Sequence, residues 1–130
     1  MIELQDKEIK DAIYPVGFYN NKTKTIKRIS KKLIQDYDSK VPKDFDELLK
    51  FKGVGRKTAN IVITQAFNKQ SIAVDTHVHT VSNRLGWVST KSPEQTEFAL
   101  KKIVPRKYWI ILNELFVKHG QKVCKPRKPL

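Results

Sequence analysis

Residues 48–62, Leu48-Leu49-Lys50-Phe51-Lys52-Gly53-Val54-Gly55-Arg56-Lys57-Thr58-Ala59-Asn60-Ile61-Val62, place apolar residues on both sides of a two-glycine turn. Glycine permits positive φ, and without side chains a turn lets an anion approach the backbone N–H groups that open the following helix. Val54 can plug such a turn into the core, and the small Thr58 and Ala59 suit close packing of the two flanking helices. The segment reads as a helix-hairpin-helix that holds a phosphate of DNA. Lys52, Gly53, Val54, Gly55, Arg56 and Thr58 are its candidate DNA-binding residues.

Outward from this hairpin the periodicity stays near 3.6. A first helix is expected at residues 4–13, ended by Tyr14-Pro15, since a residue before proline is pushed out of the helical region. A second is expected from about Asn21 to Tyr37. Its apolar stripe is Ile26, Ile29, Leu33, Ile34 and Tyr37, and its basic stripe is Lys24, Lys27, Arg28, Lys31 and Lys32. The basic stripe reads either as a solvated face or as a track along DNA. A short helix over Asp46–Phe51 precedes the glycines, and a longer one runs to about Phe67. Ser71-Ile72-Ala73-Val74 reads as an extended linker into Asp75, the N-cap of a helix over Thr76–Leu85 that Gly86 closes. Ser92-Pro93-Glu94-Gln95 is a capping box opening a helix to about Val104. The last helix spans about Lys107–His119, with Gly120 as its stop. Nothing alternates with a period of two, so the expected fold is all-α, with about seven short helices.

The 130 residues carry 26 Lys plus Arg against 13 Asp plus Glu, a net charge of +13 that favours a polyanionic partner. Nucleic acid is the first candidate and an acidic membrane surface the second. The longest apolar run, Tyr108–Leu112, is too short to cross a bilayer, and the first six residues lack the features of a signal peptide. The chain is expected to be cytoplasmic. The single cysteine, Cys124, rules out an internal disulfide and fits a reducing compartment.

From about Gly17 to Lys128 the chain resembles the endonuclease III family of helix-hairpin-helix DNA glycosylases. The resemblance is carried by GFYNNKTKTI (17–26), GVGRKTANIV (53–62), IAVDTHVHTVSNRLG (72–86), Val104-Pro105 and HGQKVCKPRKP (119–129), in family order and spacing. It implies the partial form of that fold over residues 1–122, lacking the earlier helices, followed at 123–130 by the start of a cluster loop. It implies binding to double-stranded DNA with a damaged base or an abasic site, release of an oxidised pyrimidine, and strand cleavage by an abasic-site lyase. It also assigns Lys57 as the nucleophile and Asp75, eighteen residues later, as the essential carboxylate.

The chemistry suits those residue types. Opening a sugar at C1′ needs an amine that can form an imine and a neighbouring group that moves protons or stabilises positive charge. The amine must be uncharged to attack, which burial or nearby cations such as Arg56, Lys52 and the positive helix end would favour. By pattern alone, Lys57 is one lysine among many and Asp75 is a sufficient helix cap. His77 and His79 lack the four-residue spacing of a metal pair, and His77 reads as structural or near the mouth of the site. Trp87, Tyr108 and Trp109 read as packing residues rather than base-stacking platforms.

Three departures from the family pattern stand out. Family members hold a 4Fe-4S cluster with cysteines spaced C-x6-C-x2-C-x5-C; Cys124 matches the first ligand, and the next would fall one position past Leu130. No cofactor is therefore expected in these residues, and the basic tail 122–130 is expected to be flexible. The family's earlier helices have no counterpart before Met1, so the expectation is a chain truncated at both ends with some apolar surface uncovered. Lys52 replaces the usual proline of the hairpin. The alternative to an enzyme is a noncatalytic DNA-binding remnant.

Overall fold

Chain order runs α1 (Asp6–Ile13), α2 (Tyr19–Asp36), α3 (Phe45–Leu49), α4 (Arg56–Phe67), α5 (Thr76–Arg84), α6 (Pro93–Ile103), a 3-10 turn (Arg106–Tyr108) and α7 (Trp109–Lys122). This is a computed structural model, and it describes residues 1–125. Among those residues every regular element is helical, as the uniform period requires. None of the helices is long and apolar enough to cross a membrane. The chain divides into two compact units, Met1–Val54 and the residues from Gly55 on.

In the first unit α1 packs against α2, and the Asp6 carboxylate meets the Lys27 ammonium at 2.6 Å. Helix α2 begins two residues before the expected Asn21, with Phe18 at its N-cap in the left-handed region (φ 60°), an aromatic side chain left 83% exposed. A non-glycine residue there is uncommon and costs conformational energy. The apolar stripe of α2 is only partly covered. Ile34 stays 53% exposed, and the one fully buried side chain of the helix is Thr23, whose hydroxyl turns back to the Tyr19 carbonyl at 2.9 Å. The end of α2 is tied to α3 and the turn after it. The Tyr37 hydroxyl donates to Glu47 Oε2 at 2.9 Å, its ring lies 5.0 Å from that of Phe51, and the Lys32 ammonium donates to the Lys50 carbonyl at 3.2 Å. Asp44 caps α3 by accepting from the N–H groups of Asp46 and Glu47. Within the basic stripe, then, Lys27 and Lys32 already have partners, while Lys24, Arg28 and Lys31 are exposed.

The second unit is built on the segment that reads as a linker. Ser71, Ile72, Ala73 and Val74 form no helix or strand, yet all four are buried, and Ile72 and Val74 sit at the heart of the core with Val78, Leu100 and Leu112. An irregular strand can be buried only if its backbone and polar groups find partners. Here Asn113 Nδ2 donates to the Ala73 carbonyl at 2.8 Å, and the Ser71 hydroxyl donates to Asn60 Oδ1 at 2.5 Å. Those partners lie on α7 and α4, 40 and 11 residues away, beyond the reach of local pattern, which is why local reading mistakes a core segment for a connector. Val88, Val104, Trp109 and Phe116 close over the same core, and the Trp109 indole donates to the Val104 carbonyl at 2.9 Å. Trp109 thus packs as expected, and the Trp87 ring lies 5.2 Å from that of Phe116, although Trp87 and Tyr108 remain about half exposed.

One helix boundary and one cap differ from the sequence reading for identifiable reasons. Gly120 does not stop α7: the helix continues to Lys122, and Gly120 is buried within it because the His77 ring occupies the space a side chain would need. In the Ser92 box the Ser92 hydroxyl accepts from the Gln95 N–H at 3.2 Å, but the Gln95 side chain returns to the Lys91 N–H instead of that of Ser92. Of the tail expected to be flexible, residues 126–130 lie outside the described residues, while Lys122 ends α7 and the N–H groups of Val123 and Cys124 donate to the His119 carbonyl at 2.8 and 2.9 Å.

Candidate active site

The turn that joins α3 to α4 carries its two glycines in different roles. Gly53 has φ +100°, and a Cβ there would fall 2.5 Å from Cγ2 of Thr25, so both conformation and space demand glycine. Gly55 has ordinary extended angles, nothing within 4 Å of a would-be Cβ, and caps α4 without a side chain. The first-turn N–H groups of α4 therefore lack a side-chain acceptor, the arrangement that favours an anion at a helix N-terminus. Lys52, Gly53 and Gly55 are exposed and Val54 is half-buried, short of a full plug. Thr58 is exposed too, so it does not serve the close packing expected of it; its neighbour Ala59, fully buried, does.

Lys57, in the first turn of α4, and Asp75, the cap of α5, line one open cleft of about 620 Å³ together with Arg56, Val74, Thr76, Ser92, Pro93, Glu94 and Glu97. The buried Ile72–Val74 segment delivers Asp75 to this cleft, which makes the supposed linker the element that positions the carboxylate. Asp75 Oδ1 accepts from the Val78 N–H at 2.8 Å, as an N-cap should. Among the described residues neither Lys57 nor Asp75 is in an ion pair. Lys57 is exposed, so the burial expected to help discharge its amine is not found.

The other charges of the cleft are satisfied among themselves. Glu97, only 2% exposed, accepts the Arg56 guanidinium in a fork, Nε to Oε2 at 3.0 Å and Nη2 to Oε1 at 2.9 Å, and takes Lys101 Nζ on Oε1 at 2.6 Å. Burial works to raise the Glu97 carboxyl, but the hydrogen bonds and charges of Arg56 and Lys101 outweigh it and hold the group below the usual carboxylate range. Arg56 also lies 3.7 Å from Glu94 and 4.9 Å from the centre of the Phe98 ring. The sequence reading gave Glu97 no role and Glu94 only a place in the Ser92 capping box. The available signal was spacing, since Glu97 stands three and seven positions before the core residues Leu100 and Val104 and so falls on the inward face of α6.

His77 is structural, packed on Gly120, and His79 Nδ1 lies 2.7 Å from the Thr96 hydroxyl. No three His, Cys, Asp or Glu residues among those described could hold a metal ion. Cys124, the candidate cluster ligand, has its sulfur 3.3 Å from Arg84 Nη1. With one cysteine in the sequence, these residues do not fit a four-cysteine cluster.

The chain belongs to the HhH-GPD superfamily of base excision DNA repair proteins, whose family model matches residues 1–106. It is 47% identical to the endonuclease III of Thermotoga maritima over all 130 residues, and 44% identical over 95% of its length to the chloroplastic endonuclease III homolog 2 of Arabidopsis thaliana. It spans 61% of the first relative and 34% of the second. A trapped endonuclease III–DNA covalent intermediate superposes with a TM-score of 0.89 at 41% identity, over 98% of this chain and 61% of that one. A thermostable thymine-DNA glycosylase superposes at 0.79 with 26% identity, over 98% of this chain and 61% of that one.

Proposed function

We propose that this chain acts in base excision repair as a DNA glycosylase and abasic-site lyase, with Lys57 as nucleophile and Asp75 as its carboxylate partner. The observation that carries the reading is their shared cleft, in which both stand without an ion pair while the neighbouring charges are paired. A solved relative held in a covalent complex with DNA supports an attacking group on the protein. Lys57 Nζ adds to C1′ of the flipped sugar, and the base, or water from an abasic aldehyde, departs to leave an imine. Asp75 is placed to stabilise positive character at C1′ or to accept a proton released by the amine. Loss of a C2′ proton then breaks the C3′–O bond, leaving an unsaturated imine on Lys57 and a 5′ phosphate on the other fragment, and water hydrolyses the imine to an unsaturated aldehyde and the free Lys57 amine. Backbone N–H groups at the start of α4, with Gly55 giving access, hold a phosphate of the duplex.

The test is borohydride trapping on a duplex with one abasic site. Reduction of the imine yields a stable secondary amine, so the wild-type chain should give a covalent adduct and Lys57→Ala none, while the variant still binds the duplex. No adduct from folded protein would leave the second reading, a noncatalytic DNA-binding piece of an endonuclease III.

A further inference from the structure

Arg56 is the cation adjacent in sequence to Lys57, and it borders the same cleft as Asp75. A guanidinium there could fork onto Asp75 and occupy both oxygens of the carboxylate the proposed reaction needs. Instead its Nε and Nη2 donate to the buried Glu97, with Phe98 under its face. The commitment is strong because Glu97 is shut away from water: a buried carboxylate stripped of a cation is far costlier than an exposed one, so Arg56 is held where Glu97 requires it. Lys101 alone, donating to Oε1, leaves Oε2 to Arg56. Arg56 and Lys101 keep about a third and a quarter of their side chains exposed, so neither is locked in place by packing once Glu97 loses its charge.

We infer that Glu97 is a positioning residue that holds the Arg56 guanidinium off Asp75, keeping that carboxylate unpaired for Lys57 and the sugar. The inference rests on the function proposed above and adds a third residue to it, one that acts through Arg56 without touching DNA.

A double-mutant cycle on single-turnover adduct formation at saturating abasic duplex tests it. Glu97→Gln keeps the shape and removes the charge, so Arg56 is released toward Asp75. It should slow trapping about tenfold or more in the wild-type background and less than about threefold when Arg56→Gln is also present. A merely structural Glu97 would slow both backgrounds alike, and that result overturns the inference. NMR of the wild-type protein reads the same contact without catalysis or mutation. The Arg56 Nε–H should exchange slowly with solvent and couple to the Glu97 carboxyl carbon; coupling to Asp75 in its place would be equally fatal. A wild-type chain that traps nothing ends the proposed function, yet the NMR result still decides where Arg56 is held.

Discussion

The imidazole of His77 on α5 lies against the backbone of Gly120 on α7 so closely that a Cβ on Gly120 would fall 2.7 Å from Nδ1 and 3.1 Å from Cβ of the histidine. Rotating the ring would move Nδ1 away, but the histidine Cβ at 3.1 Å would still have to give way by a few tenths of an ångström. Alanine is favoured over glycine within a helix by about 1 kcal/mol, but overpacking of this kind costs about 1–3 kcal/mol. Gly120→Ala should therefore lower the thermal midpoint, and the same substitution in a His77→Ala background should raise it. A stabilising single variant would show that α5 and α7 do not approach as described.

The hairpin glycines should separate folding from binding. Gly53→Ala faces both a positive φ and the Thr25 methyl group, and is expected to destabilise the protein by about 2 kcal/mol or more in urea melts. Gly55→Ala meets neither obstacle and loses only the preference for glycine over alanine at an N-cap, so it should lower the midpoint less than Gly53→Ala does. Its affinity for duplex DNA should fall several-fold, because the new methyl group stands where the phosphate approaches α4. Unchanged binding would remove Gly55 from the interface.

Acid should weaken the second unit through Glu97. Its carboxyl is held below its unfolded value, so the stabilisation is fully present above about pH 4.3, the ordinary glutamate value, and is lost as pH falls through the lower folded value. Thermal midpoints measured from pH 7 down to pH 2 should decline below that point, and Glu97→Gln should flatten part of the decline. An identical pH profile for the variant would show that the buried ion pair is not formed.

On α2 the exposed Lys24, Arg28 and Lys31 are free of the internal bonds that hold Lys27 and Lys32. If that face meets phosphate, Lys24→Gln and Lys31→Gln should each reduce the slope of log K against log salt by about 1, while Lys40→Gln, in an ion pair with Asp38, should leave it unchanged. Equal slopes for all three variants would show that the α2 face is solvated in the complex.

Much of this was readable from local pattern. The helical period, the glycine hairpin and the Asp75 cap depend on contacts within a few residues, so local pattern located α4 and α5, while the pairing of Lys57 with Asp75 came from the resemblance to the endonuclease III family. The tertiary structure decided whatever depends on partners distant in the chain. The segment 71–74 is core because Asn113 and Asn60 satisfy its polar groups, and Gly120 lies inside α7 because His77, 43 residues earlier, fills its place. Glu97 reads as an ordinary surface acid until folding brings Arg56, 41 residues away, onto its carboxylate. Periodicity reports which side of a helix faces inward; which charge waits there is settled only when the chain has folded.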